Sequence, residues 1–214
     1  MERTATLDKI KEIKNISIIG YGEQKRLFEA LDVEVENNIY PEIPFTIEEL
    51  NSLEDDYILL LAYSGKECSA PLNIKRFIRT FGYKSGKGTP HFYNQDWYIN
   101  EQFTDTELSH GWYLVKKDII PSTVAVNPTD ILAAHKEIKF PLAILCVYTF
   151  FANFFYTKGE LLWKDSFIWC ADTDVNGDSI YVGKYDNSLN LNNDGFSIHR
   201  HLSITKNYAA ISFR

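Results

Sequence analysis

Hydrophobic residues along the chain fall into helical and strand-like patterns that change character partway. In "QKRLFEALDV" (24–33) the apolar positions recur at helical spacing. In "YPEIPFTIEELNSL" (40–53), Thr46 is followed three residues later by Glu49, a capping box that opens a short helix. "DYILLLAY" (56–63) is a continuous apolar run of strand length. "PLNIKRFIRTFG" (71–82) starts on Pro71 and stops on Gly82, which predicts a helix with both boundaries marked. The small, polar stretch "YKSGKGTP" (83–90) reads as a loop and a module boundary.

Beyond it, residues 91–123 are rich in aromatics and hold short strand-like pieces. Residues 127–139 look helical, with Asn127 before Pro128 as the cap. The longest apolar run is "FPLAILCVYTFFANFF" (140–155). It is shorter than the roughly 20 residues of a spanning helix. It also holds Tyr148 and Asn153, so it predicts a helix buried in a protein core and no membrane span. From Phe167 to Arg214 the pattern turns to β: "FIWCADT", "SIYVGKY", "LNLNN", "FSIHRHLSI" and "YAAISFR". These patterns divide the chain into an N-terminal α/β region, residues 1–88, and a second module, residues 89–214.

The stretch "DTDVNGDSI" (172–180) has two readings. As an EF-hand loop it supplies Asp172, Asp174, Asn176 and then Gly177 at position six. Position eight is Ser179 and position twelve is Gly183, so the bidentate glutamate is missing, and the flanks are strand-like. As a hairpin, Asn176 and Gly177 take the positive φ angles of a type I′ turn between two β-rich segments. The hairpin is the preferred reading, and a looser β-type calcium loop is the alternative. His199 and His201 are two residues apart and share a face if extended. They suit a polar binding face. With Asp172 or Asp174 they also define the competing reading, a metal-dependent hydrolase. "SGKGT" (85–89) lacks the spacing of a phosphate loop and reads as an ordinary loop. No Ser or Cys nucleophile pairs with a His in a recognisable order, so no catalytic residue, metal or cofactor is assigned.

Composition narrows the partners. The chain has 214 residues and a formal net charge of -7, which disfavours a general nucleic-acid binder. Three cysteines without a CxxC spacing form no disulfide framework and suit a reducing compartment. The opening "MERTATLDKIKEIKN" is charged and has no apolar core, so no signal peptide and a cytoplasmic location are expected. Between residues 186 and 207 the chain is rich in Asn, a poor strand former. Surfaces used for recognition tolerate such residues and cores do not. Tyr181, Tyr185, Asn187, Asn190, Asn192, Asn193, His199, His201 and Asn207 are therefore the candidate ligand-binding residues, for an unknown macromolecular partner, a protein by preference. Strand alternation turns some inward, Tyr181 or Tyr185 first.

Several short segments resemble a known family. "GWYLVKKDIIPS" (111–122) looks like the GWxLP segment of C-type-lectin-like domains of the sulfatase-modifying-factor type. "FIWCADTDVNGDSIYVGKYD" (167–186) resembles their strand, turn and strand, and "AAISFR" (209–214) their terminal strand. That family includes the variable proteins of diversity-generating retroelements, which diversify ligand-facing residues near the C-terminus by adenine-directed mutagenesis. Asn codons changed at adenine yield Asp, Ser, Tyr and His, the bias seen between 181 and 208. The resemblance covers residues 91–214. It implies an α+β protein with a C-type-lectin-like C-terminal module and an N-terminal α/β extension. It also implies a non-catalytic display function. Val115 replaces the expected Pro and Ser212 the expected Gly. The family's long Arg-rich loop is absent, and no pair of cysteines matches the copper site of the formylglycine-generating members, so oxidase activity is not implied.

Overall fold

The computed structural model of the chain describes residues 6–36, 39–82, 90–92, 96–184, 195–200 and 206–214. The described elements run α1 (Leu7–Ile10), β1 (Ile16–Ile19), α2 (Tyr21–Leu31), α3 (Ile47–Asn51), β2 (Tyr57–Ala62), α4 (Ile74–Phe81), β3 (Gly111–Lys116), α5 (Pro128–Ala134), α6 (Ala143–Thr157), β4 (Ser166–Thr173), β5 (Ser179–Lys184), β6 (Phe196–Arg200) and β7 (Tyr208–Ala209). Among the described residues, six α-helices and two small sheets make a mixed α+β fold.

The first sheet has the order β1-β2-β3. β1 and β2 are parallel, with α2 lying between them in the chain, and β3 runs antiparallel to β2. All six residues of β2 are buried, which explains why it reads as an unbroken apolar run. The amide of buried Gln24 on α2 donates to the carbonyls of Ile19 and Leu61, at 3.2 and 2.8 Å. It ties together the C-terminal ends of β1 and β2. The outer side of β3 is covered by the chain end: Leu114 and Lys116 donate to Arg214 and Ser212, each at 2.9 Å, and Arg214 donates back to Leu114 at 3.0 Å.

Helix α6 is the centre of the molecule. Its residues 143–153 are all buried, as a helix apolar on every side requires. Pro141 keeps the start of the expected run out of the helix. The carboxylate of Asp172, on β4, accepts the Ala143 amide at 2.6 Å and satisfies one of the orphan donors at the start of α6. Phe151 touches Phe77, Phe81, Phe92, Phe150 and Phe196, so one side chain joins α4, α6 and β6.

The second sheet has the order β6-β5-β4-β7, with β7 parallel to β4 and the other pairs antiparallel. Its two faces alternate residue by residue. Ile168, Cys170, Ile180, Val182 and Ile198 join the main core around α6. Phe167, Trp169, Tyr181 and Tyr208 form a second cluster with Ile131, Ile138 and Phe140. This sheet is thus covered on both faces.

The boundary expected near residue 88 does not separate two cores. β3, which follows it, pairs with β2, which precedes it, and one hydrophobic cluster runs from Ile10 to Ile211. Other local expectations are refined. The capping box at Thr46 and Glu49 forms in both directions, at 3.1 and 2.8 Å. Helix α4 begins after Asn73, whose side chain accepts the Arg76 amide at 3.0 Å; Pro71 lies outside it. Helix α5 is capped by Asn127 and ends at Ala134, short of the expected residue 139.

Candidate functional site

The candidate residues that are described, Tyr181, His199 and Asn207, lie on the second sheet or beside it. At one end of that sheet, β4 turns into β5. Gly177 donates to the Asp174 carbonyl, and Asp174 donates to that of Asp178, both at 3.0 Å. Gly177 has φ +84°, whereas Asn176 keeps a negative φ. This is a three-residue connection, a type I turn closed by a left-handed glycine, in place of the expected two-residue type I′ turn. One reason is the Asp174 side chain. Its Oδ1 accepts the amides of Asn176 and Asp178 at 2.8 and 2.9 Å, and this local turn of backbone favours the longer connection.

The Oδ2 of Asp174 accepts from the Arg200 guanidinium and from the Asn176 side chain. The guanidinium also lies over the Trp97 ring, 4.5 Å from its centre. Glu101 accepts the amide of Val175 at 3.0 Å. Residues 97–101, the turn and the end of β6 are therefore locked together. Burial by itself would raise the Asp174 carboxyl, but the hydrogen bonds from Asp178, Arg200 and Asn176 hold it below its ordinary value. Its oxygens are taken by protein donors, which disfavours the calcium-loop alternative. Trp97, Glu101 and Arg200 escaped the sequence reading. The only local signal was an arginine between two histidines.

Tyr181 is corrected from a candidate ligand residue to a core residue. It is 1% exposed and packs among Phe167, Trp169 and Tyr208, whose hydroxyl donates to the Tyr181 hydroxyl at 3.2 Å. His199 pairs with Tyr181 across β5 and β6, and its ring stacks on Tyr181 and meets Phe167 edge-on. Burial pushes its imidazole down to about 4. His199 is therefore a half-buried member of the aromatic face.

The hydrolase residues that are described, His199, Asp172 and Asp174, are not brought together. His199 faces the aromatic cluster, Asp172 faces α6 from the other side of β4, and Asp174 is engaged with Arg200. Burial raises the Asp172 carboxyl, an effect opposed by the Ala143 amide. Among the described residues, no group of three or more His, Cys, Asp or Glu could hold a metal ion.

The opposite end of the sheet is differently built. The chain leaves β5 at Lys184 and resumes at Gly195 and Phe196, and Lys184 and Phe196 are partners in the ladder. The carbonyl of half-buried Asn207 accepts the Phe167 amide at 2.8 Å at this same end. Tyr185, Asn187, Asn190, Asn192, Asn193 and His201 lie outside the described residues. Beside this end is a cavity of about 330 Å³, lined by Asp56, Lys117, Asp118, Glu160, Trp163 and Ser166 among others. Its wall comes from a segment in which Lys158, Trp163 and Asp165 all have positive φ, at 62°, 50° and 55°. Such backbone is costly for residues with a Cβ. It is held in place by the Asp165 amide, which donates to Lys184 at 2.8 Å. No sequence motif announced this cavity.

Searches among protein-family models, curated proteins and solved structures found no match for the chain.

Proposed function

We propose that this chain is a non-catalytic ligand-binding protein that presents the Asn-rich connection between β5 and β6, with Asn207 beside it, to a macromolecular partner. One observation carries the reading. The points where residues 185–194 leave and rejoin the sheet, the Asn207 anchor and a polar cavity with a strained wall gather at a single end of a sheet that is otherwise covered on both faces. The ligand positions are Tyr185, Asn187, Asn190, Asn192, Asn193, His201 and Asn207. Asn and His adapt their hydrogen bonding to a partner, and Tyr adds contact area at little entropic cost.

The finer reading is a C-type-lectin-like module of the kind diversified by retroelements. Two features support it. The segment resembling the family's GWxLP motif, β3, is joined by the chain end that resembles its terminal strand, through the bonds of Leu114 and Lys116 to Arg214 and Ser212. The segment that resembles the family's strand, turn and strand forms the antiparallel hairpin of β4 and β5. The test is genomic. A diversified gene carries, beside a reverse transcriptase, a near-repeat of its 3′ coding end that differs at adenines in the codons for 181–208. Finding that repeat supports the reading, and an intact neighbourhood with neither feature overturns the retroelement part of it.

A further inference from the structure

The two edges of the first sheet are unlike. The β3 edge is covered by residues 212–214. The β1 edge has no strand beside it among the described residues. The ladder fixes which groups face out there. Tyr57 donates to Asn15 at 2.8 Å, so Asn15, Ser17 and Ile19 bond toward β2, and Ile16 and Ile18 point the other way. The Ile16 amide is used locally, on the Ile13 carbonyl at 3.4 Å. The Ile18 amide and the carbonyls of Ile16 and Ile18 point away from β2, and Ile16 and Ile18 line a groove of about 330 Å³.

That groove is lined by Leu7, Ile18, Tyr40 and Tyr156, and among the described residues its charged ones are Lys11 and Glu23. Tyr40 and Tyr156 are 42% and 41% exposed, so the groove has apolar shoulders open to solvent. Lys11 and Glu23 sit at opposite ends of the strand. Lys11 precedes β1 through two tight turns, Ile13 onto Ile10 and Ile16 onto Ile13. Glu23 lies past the other end, held on the Gly20 amide at 3.0 Å. The partner of Lys11 is Asp8, at 3.6 Å on an exposed surface, which is a weak pair. A strand edge with one positive and one negative end is complementary to itself, provided that the second strand runs antiparallel. A parallel copy would set Lys11 against Lys11 and Glu23 against Glu23.

We propose that the free edge of β1 is a self-association surface on which a second copy of this chain pairs its own β1 antiparallel about a two-fold axis. The first sheet then continues through both copies, and each Lys11 meets the partner's Glu23. The surface is separate from the recognition end of the second sheet, so the two proposals fail independently.

Sedimentation velocity of the full chain over a wide range of concentrations tests it. The expected result is a monomer–dimer equilibrium. Lys11→Glu and Glu23→Lys each raise the dissociation constant roughly tenfold, because each creates two like-charge contacts per dimer. The double exchange restores it. Ile18→Pro deletes the outward amide, a change that edge strands tolerate, and abolishes the dimer. Glu23→Lys also removes the carboxylate from the Gly20 amide, so circular dichroism accompanies each variant. If it unfolds, Lys11→Glu and Ile18→Pro carry the test. A monomer at every concentration overturns the proposal, as does a dimer that neither the charge reversals nor Ile18→Pro weakens.

Discussion

In the first sheet a strand of six buried residues, β2, is flanked by β1 and β3, and the chain's own C-terminus finishes one side. The second sheet also contacts α6, but its other face carries a separate aromatic cluster, and the sequence between β5 and β6 is rich in Asn. One region is built of local apolar runs whose side chains pack into the core. The other alternates, within a few residues, between side chains that hold the fold and side chains that the proposed function presents. Tyr181 and Asn187 both qualify for binding by residue type, and strand alternation marks Tyr181 as one that can turn inward; it is shut between Trp169 and Tyr208. Residue type alone does not separate recognition from packing when both faces of a sheet are covered.

The largest effect should come from the element that the two sheets share. Phe151→Ala removes a fully buried ring that touches α4 and β6 together, and should cost about 4 kcal/mol in urea unfolding. Hydrogen exchange should accelerate in both sheets. Loss of protection in only one would mean that the sheets are stabilised independently.

Next comes a pH effect confined to the second sheet. Burial lowers the His199 imidazole from 6.5 to about 4, so the fold accepts the neutral ring and resists the charged one. The unfolded chain takes up this proton as the pH falls below 6.5, and the folded chain does so only near 4. The stability from this group is full above 6.5 and is lost through that window, about 3 kcal/mol in all. His199→Phe should flatten the curve between those values. An unchanged slope would show that other groups set the acid sensitivity.

A smaller effect is expected at the turn. A Cβ at Gly177 meets no atom within 4 Å, so the cost of Gly177→Val comes from the positive φ of +84°, about 1–2 kcal/mol in thermal or urea unfolding. Addition of calcium should leave the melting temperature unchanged, because Asp174 already accepts from Arg200 and two backbone amides. A calcium-dependent rise would restore the loop reading.

The first sheet explains what the sequence made legible and what it hid. β2 and α6 were readable because each is buried on every side and keeps its apolar run intact. The caps at Thr46 and Asn127 were readable because capping is local chemistry. β1 was missed: "ISII" is four residues long and too short to carry a period. β3 was obscured in an aromatic-rich stretch, where Trp112 is buried against the Pro41 carbonyl rather than exposed for binding. In the candidate site, the alternation of Phe167, Ile168, Trp169 and Cys170 gives no sign of which face is covered by what, since both are apolar. The Arg200, Asp174 and Trp97 contact joins distant segments and has no local signature.

The most direct test sets the two kinds of side chain in the C-terminal region against each other. In one variant Asn187, Asn190, Asn192, Asn193, His201 and Asn207 all become Ser; in the other, only Tyr181 does. Surface changes usually stay within about 0.5 kcal/mol each, whereas opening a cavity in a packed aromatic cluster costs several kcal/mol. The account predicts that differential scanning calorimetry finds the six-site variant melting close to the unmodified chain, and Tyr181→Ser far below it. A collapse of the six-site variant, with Tyr181→Ser left stable, would mean that the Asn-rich segment builds the fold and would contradict its assignment as a presented surface.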